Sequence, residues 1–348
     1  MKRLALAITL ATLAPCAPSH AQADEPFRVC WSIYVGWMPW AYGAEQGIVD
    51  KWADKYDIEI EVVQINDYIE SINQYTAGAF DACTMTNMDA LTIPAAGGVD
   101  STALIAGDFS DGNDGIVLKG ADSLADIEGR TVNLVELSVS HYLLARGLDS
   151  VGLSEADVDV VNTSDADLVA VYGTDDVDAV VTWNPLLSEI EAMPDSTTVY
   201  DSSRIPGEII DLLVVNTDTL AAHPDLGRAL TGAWYEIMAA MQGENADEVK
   251  TFLGEASGTD LPGYQAQLDS TRMFFEPEQA LALVGSETLI DTMRYVAEFS
   301  FEHGLLGEGA PDAGFIGIET PAGTFGSIDN VQLRFDPSFM QMAADGAL

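Results

Sequence analysis

Residues 27–64 read FRVCWSIYVGWMPWAYGAEQGIVDKWADKYDIEIEVVQ, and this stretch predicts a strand, a helix and a second strand. Residues 27–33 form an apolar run of strand length, and residues 58–64 are rich in β-branched side chains. Residues 40–55 carry apolar side chains at the spacing of an amphipathic helix. This order indicates two parallel strands joined by a crossover helix, the unit of an α/β fold.

The alternation of strand and helix patterns continues through two units. The first unit ends near residue 114, after a predicted helix at residues 67–77 that Asp67 caps, and the second unit follows it. After residue 215 the pattern becomes mostly helical, which fits a tail that returns to the first unit. We therefore predict an α/β protein of two units, each a sheet flanked by helices. The first unit, lobe I, comprises residues 24–114 and 215–348, and the second, lobe II, comprises residues 115–214; the resemblance described below implies a ligand cleft between them.

The N-terminus has the features of a secretory signal peptide. Positive residues at 2–3 precede an apolar stretch at residues 4–14, and residues 21–23 form an Ala-Gln-Ala cleavage site. We therefore predict a signal peptide over residues 1–23 and a periplasmic location. Cys16 leaves a lipid-anchored form as the alternative, although Pro15 directly before it is unusual for that processing.

The charge balance is strongly acidic. The 348 residues include 14 Lys and Arg against 56 Asp and Glu, a formal net charge of −42. Such a surface repels nucleic acid and anionic lipid, so we expect neither as a partner. Solubility in a salty environment is the simplest explanation of the acidic excess.

The sequence lacks the common patterns of metal sites and catalytic centres. Cys30 and Cys83 lie in strand-like runs, where a disulfide and two buried thiols are both compatible with the sequence. The four His are not clustered, and the sequence has no G-x-G-x-x-G after the first strand, no Walker A sequence, no G-x-S-x-G and no H-E-x-x-H. Ser138 and Ser140 lie near His141, but no third orienting group is indicated. We predict a protein that is not an enzyme and has no metal or cofactor.

Aromatic and polar residues follow the predicted strands, where ligands bind in open α/β sheets. Residues 31–40 hold three Trp and one Tyr, and a strand end is a costly place for all of them unless a ligand covers some. Four further loops, from both units, carry hydroxyl, amide and carboxylate groups. The predicted ligand-binding residues are Trp31, Tyr34, Trp37, Asn87, Asp89, Glu136, Ser138, His141, Trp183, Asn184 and Glu208.

The charges in these loops indicate the sign of the ligand. The first four loops contain neither Lys nor Arg, and Arg204 is the only basic residue near the fifth. Sulfonates and nitrate normally meet a basic side chain, although helix N-termini alone can hold an anion. The five loops instead offer Asp89, Glu136, Glu208 and Asp211 beside the aromatic residues, and we expect one or two of these acids to contact the ligand. Aromatic faces with carboxylates favour a compact cation.

The chain resembles the periplasmic binding proteins of the sulfonate, taurine, nitrate and thiamine-precursor importers. The resemblance covers most of the mature chain and is carried by residues 40–49, 75–82, 140–153 and 178–185. The last segment contains Trp183-Asn184-Pro185, similar to a W-x-P element in which the wider group often has Asp. Residues 31–40 and 84–89 are most similar to the binding proteins encoded beside urea carboxylase.

This resemblance implies a type II periplasmic binding protein that serves an ABC importer. Its partners would be a small-molecule ligand and the permease and ATPase subunits, and the protein would be a monomer that closes by hinge motion. The subgroup implies a urea-like nitrogen compound, with guanidinium as its cationic form. The alternatives are a taurine, alkanesulfonate or nitrate binding protein of the same fold, and a protein for binding or synthesis of the thiamine pyrimidine precursor.

Overall fold

The computed structural model describes residues 25–307 and 309–348, so the predicted signal peptide at residues 1–23 and Cys16 lie outside the described residues. Two β-sheets, each flanked by helices, form an α/β fold. We call the part built on the larger sheet the first lobe and the part built on the smaller sheet the second lobe. The predicted fold class is confirmed.

The first lobe begins with the predicted alternation of strands and helices. Its first elements are β1 (Phe27–Trp31), α1 (Pro39–Glu45), α2 (Ile48–Lys55), β2 (Ile60–Gln64), α3 (Tyr68–Thr76), β3 (Ala82–Thr86), α4 (Asn87–Ala90) and β4 (Ser101–Ser110). β1 pairs in parallel with β2 and with β3. A π-helical turn, Leu91–Ala95, continues α4.

Two local predictions in this lobe can be compared with the structure. The helix predicted over residues 40–55 is two helices, because Gly47 adopts a φ of 67° and lies directly before α2. A left-handed residue ends a helix, and glycine adopts this conformation without a steric penalty. The predicted cap is confirmed, since the Asp67 carboxylate accepts a hydrogen bond from the Glu70 N–H at 2.9 Å.

The second lobe is a five-stranded sheet with the order β7-β6-β8-β5-β9. β6 pairs in parallel with β7 and β8, and β5 is antiparallel to β8 and β9. Its elements are β5 (Asp114–Lys119), β6 (Thr131–Leu134), α5 (Val139–Val151), β7 (Asp159–Asn162), α6 (Asp165–Tyr172), β8 (Ala179–Trp183), α7 (Leu186–Glu191) and β9 (Ser196–Asp201).

The remaining chain returns to the first lobe, as the helical tail predicts. Its elements are β10 (Ile210–Asn216), α8 (Thr217–Ala222), α9 (Pro224–Gln242), α10 (Ala246–Ala256), α11 (Leu261–Asp269), β11 (Thr271–Met273), α12 (Pro277–Val284), α13 (Glu287–Glu302), β12 (Gly317–Thr320), β13 (Gly323–Phe325), β14 (Val331–Phe335) and α14 (Ser338–Ala344). The larger sheet has the order β13-β12-β14-β4-β10-β3-β1-β2, and β11 also pairs with β4. β11, β12 and β13 were not predicted because runs of three or four residues carry too little periodicity.

β10 corrects the predicted boundary between the lobes. It lies between β3 and β4 and is antiparallel to both, so the chain re-enters the larger sheet by Ile210 and not at residue 215. Strands that are buried on both faces read as continuous apolar runs, and such a run does not indicate which sheet the strand joins. None of the helices in the described ranges is long and apolar enough to cross a membrane.

A disulfide joins Cys30 and Cys83 and resolves the alternatives that the sequence left open. The two cysteines are register partners in the parallel pair β1·β3, with Cα atoms 4.5 Å apart. Both lie at the centre of the first lobe with fully buried side chains. The bond therefore fixes two neighbouring strands of the larger sheet to each other.

Removal of this disulfide should destabilise the protein. The bond closes a loop with a sequence separation of 53, so the double variant Cys30→Ala/Cys83→Ala should lose about 4 kcal/mol of unfolding free energy. Urea unfolding measures the loss, and the wild type treated with a thiol reductant is the matched comparison. Equal unfolding midpoints for the oxidised wild type and the double variant would contradict the prediction.

Candidate functional site

A small cavity lies between the lobes, where the strand ends of both sheets meet. The space in it that is open to a water-sized group is about 10 Å³. The first lobe contributes residues from β3, β10, the start of α3 and the loop after β1. The second lobe contributes the start of β5, the start of α5 and the end of β8. The lining residues are Tyr34, Trp37, Tyr68, Thr86, Asp114, Val139, Trp183, Ile209 and Asp211.

Four aromatic rings form the walls of this cavity, and we call them the aromatic cage. Tyr34 and Trp37 meet edge to face at 4.9 Å between ring centroids, and Trp37 lies 5.4 Å from Tyr68. Tyr68 in turn meets Trp183 edge to face at 5.5 Å, which carries the cage across to the second lobe. All four side chains are buried. Aromatic faces attract cations, and most strongly where water is excluded.

Hydrogen bonds close the lobes over the cage. The Trp183 indole N–H donates to the Ile33 carbonyl at 3.1 Å, and the Val35 N–H donates to the Asn184 carbonyl at 3.3 Å. At the opposite side, the Tyr68 N–H donates to Asp165 at 3.3 Å. These bonds fix the cage in its closed arrangement.

Two aspartates on neighbouring strands form an acidic pair at the cavity, where Asp211 is part of the lining and Asp108 contacts the lining residue Tyr34. Asp108 of β4 and Asp211 of β10 are register partners. The Tyr34 hydroxyl donates to Asp108 Oδ1 at 2.8 Å. Oδ2 of Asp108 and Oδ2 of Asp211 accept no hydrogen bond from the described part of the chain. The two carboxyls lie within hydrogen-bond reach of each other. Two carboxyls this close share a proton unless a cation joins them.

Asp114 supplies a third carboxyl at the start of β5. It accepts a hydrogen bond of 2.5 Å from the Ser110 hydroxyl. Burial raises the pKa of Asp114 to about 7 and the pKa of Asp108 to about 7. Burial, with the charge of Asp108, also raises the pKa of Asp211 well above its ordinary value. None of the side chains that line the cavity among residues 25–307 and 309–348 is a Lys or Arg that could compensate these charges.

Asp89 lies one hydrogen bond behind the cage. It accepts from the Tyr68 hydroxyl at 2.6 Å, from the Thr86 hydroxyl at 2.9 Å and from the Val139 N–H at 3.4 Å. Burial raises the pKa of Asp89 to about 6. Its carboxyl orients Tyr68 and occupies the N-terminus of α5, so it links the two lobes behind the cavity.

The structure brings some of the predicted residues together at the cavity and separates others from it. Tyr34, Trp37 and Trp183 line the cavity, and Asp89 reaches it through Tyr68. Trp31 is buried at the end of β1, and it packs in the core away from the lining.

Two predicted polar residues connect the first lobe to other segments. The Asn87 side chain donates to the Glu208 carbonyl at 3.0 Å and accepts from the Ile210 N–H at 2.9 Å. The Glu208 carboxylate accepts hydrogen bonds from Nε and Nη2 of the Arg146 guanidinium and from the Tyr142 hydroxyl. Glu208 is therefore one partner of an ion pair between the lobes, because Arg146 belongs to α5.

The remaining predicted residues serve local structure in the second lobe. Glu136 is exposed, and Ser138 caps α5 by accepting from the Ser140 N–H at 3.1 Å. His141 contacts Glu155 at 2.5 Å. Asn184 accepts from the Ser188 N–H at 3.1 Å and precedes a cis peptide bond to Pro185.

The sequence analysis missed several residues of the cavity. Tyr68 follows β2 and Thr86 is the last residue of β3, so the rule that ligands bind at strand ends could have found both. Asp114 lines the cavity at the start of β5, and Asp108 lies beside it near the end of β4. An acid near the end of a largely apolar strand is the pattern that identifies both. Gly36 also belongs to the site, because a Cβ atom at this position would overlap Asp108 Oδ2.

Within the described ranges, no group of three His, Cys, Asp or Glu side chains could hold a metal ion. The arrangement as a whole combines aromatic faces, buried acids and an enclosed small volume. It can neutralise and surround a small positive group.

Neutralising one buried acid should change how stability depends on pH. Because the folded-state pKa of Asp114 is about 7 and the unfolded value is about 4, folding favours the protonated carboxyl. This contribution is present below about pH 4 and is lost as the pH rises through about 7. Asp114→Asn should therefore gain stability relative to the wild type between pH 5 and pH 8, on the order of 2–4 kcal/mol.

Urea unfolding of the ligand-free protein at pH 5 and at pH 8 measures this gain in stability. Glu136→Gln is the matched control, because it removes an equal charge at an exposed position of the chain. An identical pH dependence for Asp114→Asn and wild type would show that the carboxyl is not desolvated.

Comparison with known proteins identifies related sequences and folds. A family model described as NMT1/THI5 like matches residues 54–242. A protein of Brucella abortus (strain 2308) named only as a binding protein is 28% identical over 295 residues, which cover 82% of this chain and 86% of that protein. The taurine-binding periplasmic protein of Escherichia coli (strain K12) is 24% identical over 198 residues, 53% of this chain and 60% of that protein.

A solved structure shares the fold. The alkanesulfonate-binding protein SsuA of Xanthomonas axonopodis pv. citri, bound to MOPS, superposes with a TM-score of 0.66 at 16% identity. The match covers 81% of this chain and 94% of that chain. At this identity the likeness concerns the fold, which is a two-lobed binding-protein architecture.

Proposed function

Because the chain belongs to the NMT1/THI5-like family, we propose that it is the substrate-binding component of an ABC importer and captures a compact organic cation. It is not an enzyme in this proposal. A permease and an ATPase subunit are its partners, and it works as a monomer in the periplasm after removal of residues 1–23. The taurine-binding relative and the fold shared with SsuA support the class of function.

The observation that carries the choice of a cation is the acidic pair inside the aromatic cage. Asp108, Asp114 and Asp211 are buried, and no cationic side chain lines the cavity within the described part of the chain. Carboxylates without a counter-charge are unfavourable in a dry site, whereas a bound cation would neutralise them. A planar guanidinium or amidinium can stack on the rings and offers several N–H donors to the carboxylates.

The helix N-termini at the site also support a cationic ligand. The N-terminus of an α-helix attracts anions, and a sulfonate could bind there without any Lys or Arg. Here the N–H of Val139, at the start of α5, donates to Asp89 at 3.4 Å. The protein's own carboxyl therefore takes the position at which an anionic ligand would be stabilised.

Closure of the lobes is the signal that a permease can recognise in this proposal. Trp183 moves with the second lobe, and its bond to the Ile33 carbonyl forms only when the lobes meet. The Arg146–Glu208 pair also joins the lobes. A ligand that bridges Trp183 and the acidic pair shifts the population toward the closed form.

The alternative of the same class is a taurine, alkanesulfonate or nitrate binding protein. The taurine-binding relative and the alkanesulfonate-binding SsuA favour it. A sulfonate in this cavity would face the carboxyls of Asp114 and Asp211, so it would bind only if both remained protonated. The ligand class can therefore be decided by direct binding measurements.

Guanidinium and small amidinium ions should bind, and taurine and nitrate should not. Isothermal titration calorimetry at pH 8 measures both sets of ligands. Asp211→Asn should weaken guanidinium binding by about a hundredfold or more, because it leaves the cation with an incomplete counter-charge. Glu136→Gln is the control and should bind as the wild type does. Tight binding of taurine together with no binding of guanidinium or amidinium ions would refute the cation proposal.

Binding of the cation should release a proton. The pKa of Asp108 and that of Asp114 lie near 7 in the ligand-free protein, so below this pH protons compete with the ligand. Guanidinium keeps its charge throughout, and its affinity should fall by up to about tenfold per pH unit as the pH drops from 7 to 5. Titrations in buffers of different ionisation enthalpy count the released protons. An affinity that is independent of pH over this range would contradict the release of a proton on binding.

A further inference from the structure

A second cavity lies behind the aromatic cage, wholly inside the first lobe. The space in it that is open to a water-sized group is about 10 Å³, room for about one such group, and Trp37 and Asp211 line both cavities. We call it the rear chamber. Its other walls include Trp40, Thr84, Gly107 and Trp234. The rear chamber is thus separated from the first cavity by the Trp37 ring and the Asp211 carboxyl, which both cavities share.

Polar groups without partners line the rear chamber. The indole nitrogens of Trp37 and Trp234 and the hydroxyl of Thr84 are buried, and no residue in the described ranges hydrogen-bonds to them. Trp37, Thr84 and Trp234 are 4%, 1% and 2% exposed. Buried donors normally find a partner, and leaving one unpaired costs free energy. Three such groups around one space therefore indicate that something polar occupies it.

The chemistry of these groups defines what they can bind. An indole N–H only donates, so Trp37 and Trp234 require an acceptor. The Thr84 hydroxyl and the Asp211 carboxyl can accept, so the same occupant can also donate. A carboxylate would accept from both indoles, but it would meet the carboxyl of Asp211 at the chamber wall. A neutral hydroxyl satisfies all of these requirements, and it is small enough for the space.

Gly107 shows how closely the chamber is built. A Cβ atom at this position would lie 3.1 Å from Cζ2 of Trp234. The glycine therefore lets the Trp234 ring lie directly against β4. Trp40, 5.4 Å away, supports the ring from the first helix of the lobe.

We propose that the rear chamber is a specificity subsite that holds a short hydroxyl-bearing substituent of the cationic ligand. This inference rests on the proposed function, since it requires the cationic group in the aromatic cage. The substituent passes Trp37 and accepts hydrogen bonds from the indole N–H groups of Trp37 and Trp234. It donates to Thr84 or Asp211. The natural ligand is then a hydroxyalkyl guanidinium or amidinium and not the bare cation.

Two ligands of equal size test the subsite. 2-Hydroxyethylguanidine and propylguanidine have the same number of heavy atoms and the same charge, and they differ only at the terminal hydroxyl. Calorimetry at pH 8 should show that the wild type prefers the hydroxyethyl compound by about tenfold, the difference that one or two buried hydrogen bonds make. Equal affinities, or a preference for the propyl compound, would overturn the subsite.

Two variants test whether the rear chamber causes the preference for the hydroxyethyl compound. Trp234→Phe removes one indole donor, and Thr84→Val removes the hydroxyl with little change of shape. Each should reduce the preference for the hydroxyethyl compound to within about threefold, and bare guanidinium should keep its wild-type affinity. Should Trp234→Phe fail to fold, Thr84→Val and the wild-type ligand pair still decide the question. A preference unchanged in both variants would place the hydroxyl elsewhere.

Failure of this inference differs from failure of the proposed function. If bare guanidinium binds and the two matched ligands bind equally, the cation site stands and the rear chamber holds only water. If no guanidinium compound binds, the cation proposal itself is wrong.

Discussion

Uncompensated buried acids constrain this structure more than any other feature. Asp108, Asp114 and Asp211 lie within an enclosed space whose described lining contains no cationic side chain. Burial disfavours their charged forms. In the ligand-free closed state these carboxyls therefore stay protonated at pH values at which exposed carboxyls would be ionised. A bound cation would offset the free-energy cost of ionising these buried carboxyls, because it would neutralise their charge.

The topology explains how the acids come to lie together. Asp108 and Asp211 are register partners on β4 and β10, near the two passages of the chain between the lobes. Asp114 lies at the start of β5, just after the first passage. Asp108 and Asp211 belong to the larger sheet, whereas Asp114 and Trp183 belong to the smaller one. Both lobes therefore contribute carboxyls to the cleft, and the aromatic cover depends on the second lobe.

The sequence predicts the fold and part of the site, for identifiable physical reasons. Alternating apolar runs suffice for the α/β class, and the density of aromatics after β1 predicts Tyr34 and Trp37 at the cleft. Glu136 and Glu208 look equivalent to Asp211 in the sequence, but one is exposed and the other pairs with Arg146. These pairings depend on contacts between distant segments. In a chain with 56 acids, composition alone cannot separate a paired carboxylate from an unpaired one.

The fold alone does not determine the charge of the ligand. A two-lobed α/β architecture places helix N-termini at its cleft, and that arrangement favours anions before any side chain is considered. In this chain Asp89 accepts from the first N–H of α5 and from the hydroxyls of Tyr68 and Thr86, so the favourable position is already occupied. One buried carboxyl at that point occupies the anion position and orients the Tyr68 ring of the aromatic cage. Under the proposed function, the same backbone would serve ligands of opposite charge through a few side chains at its strand ends.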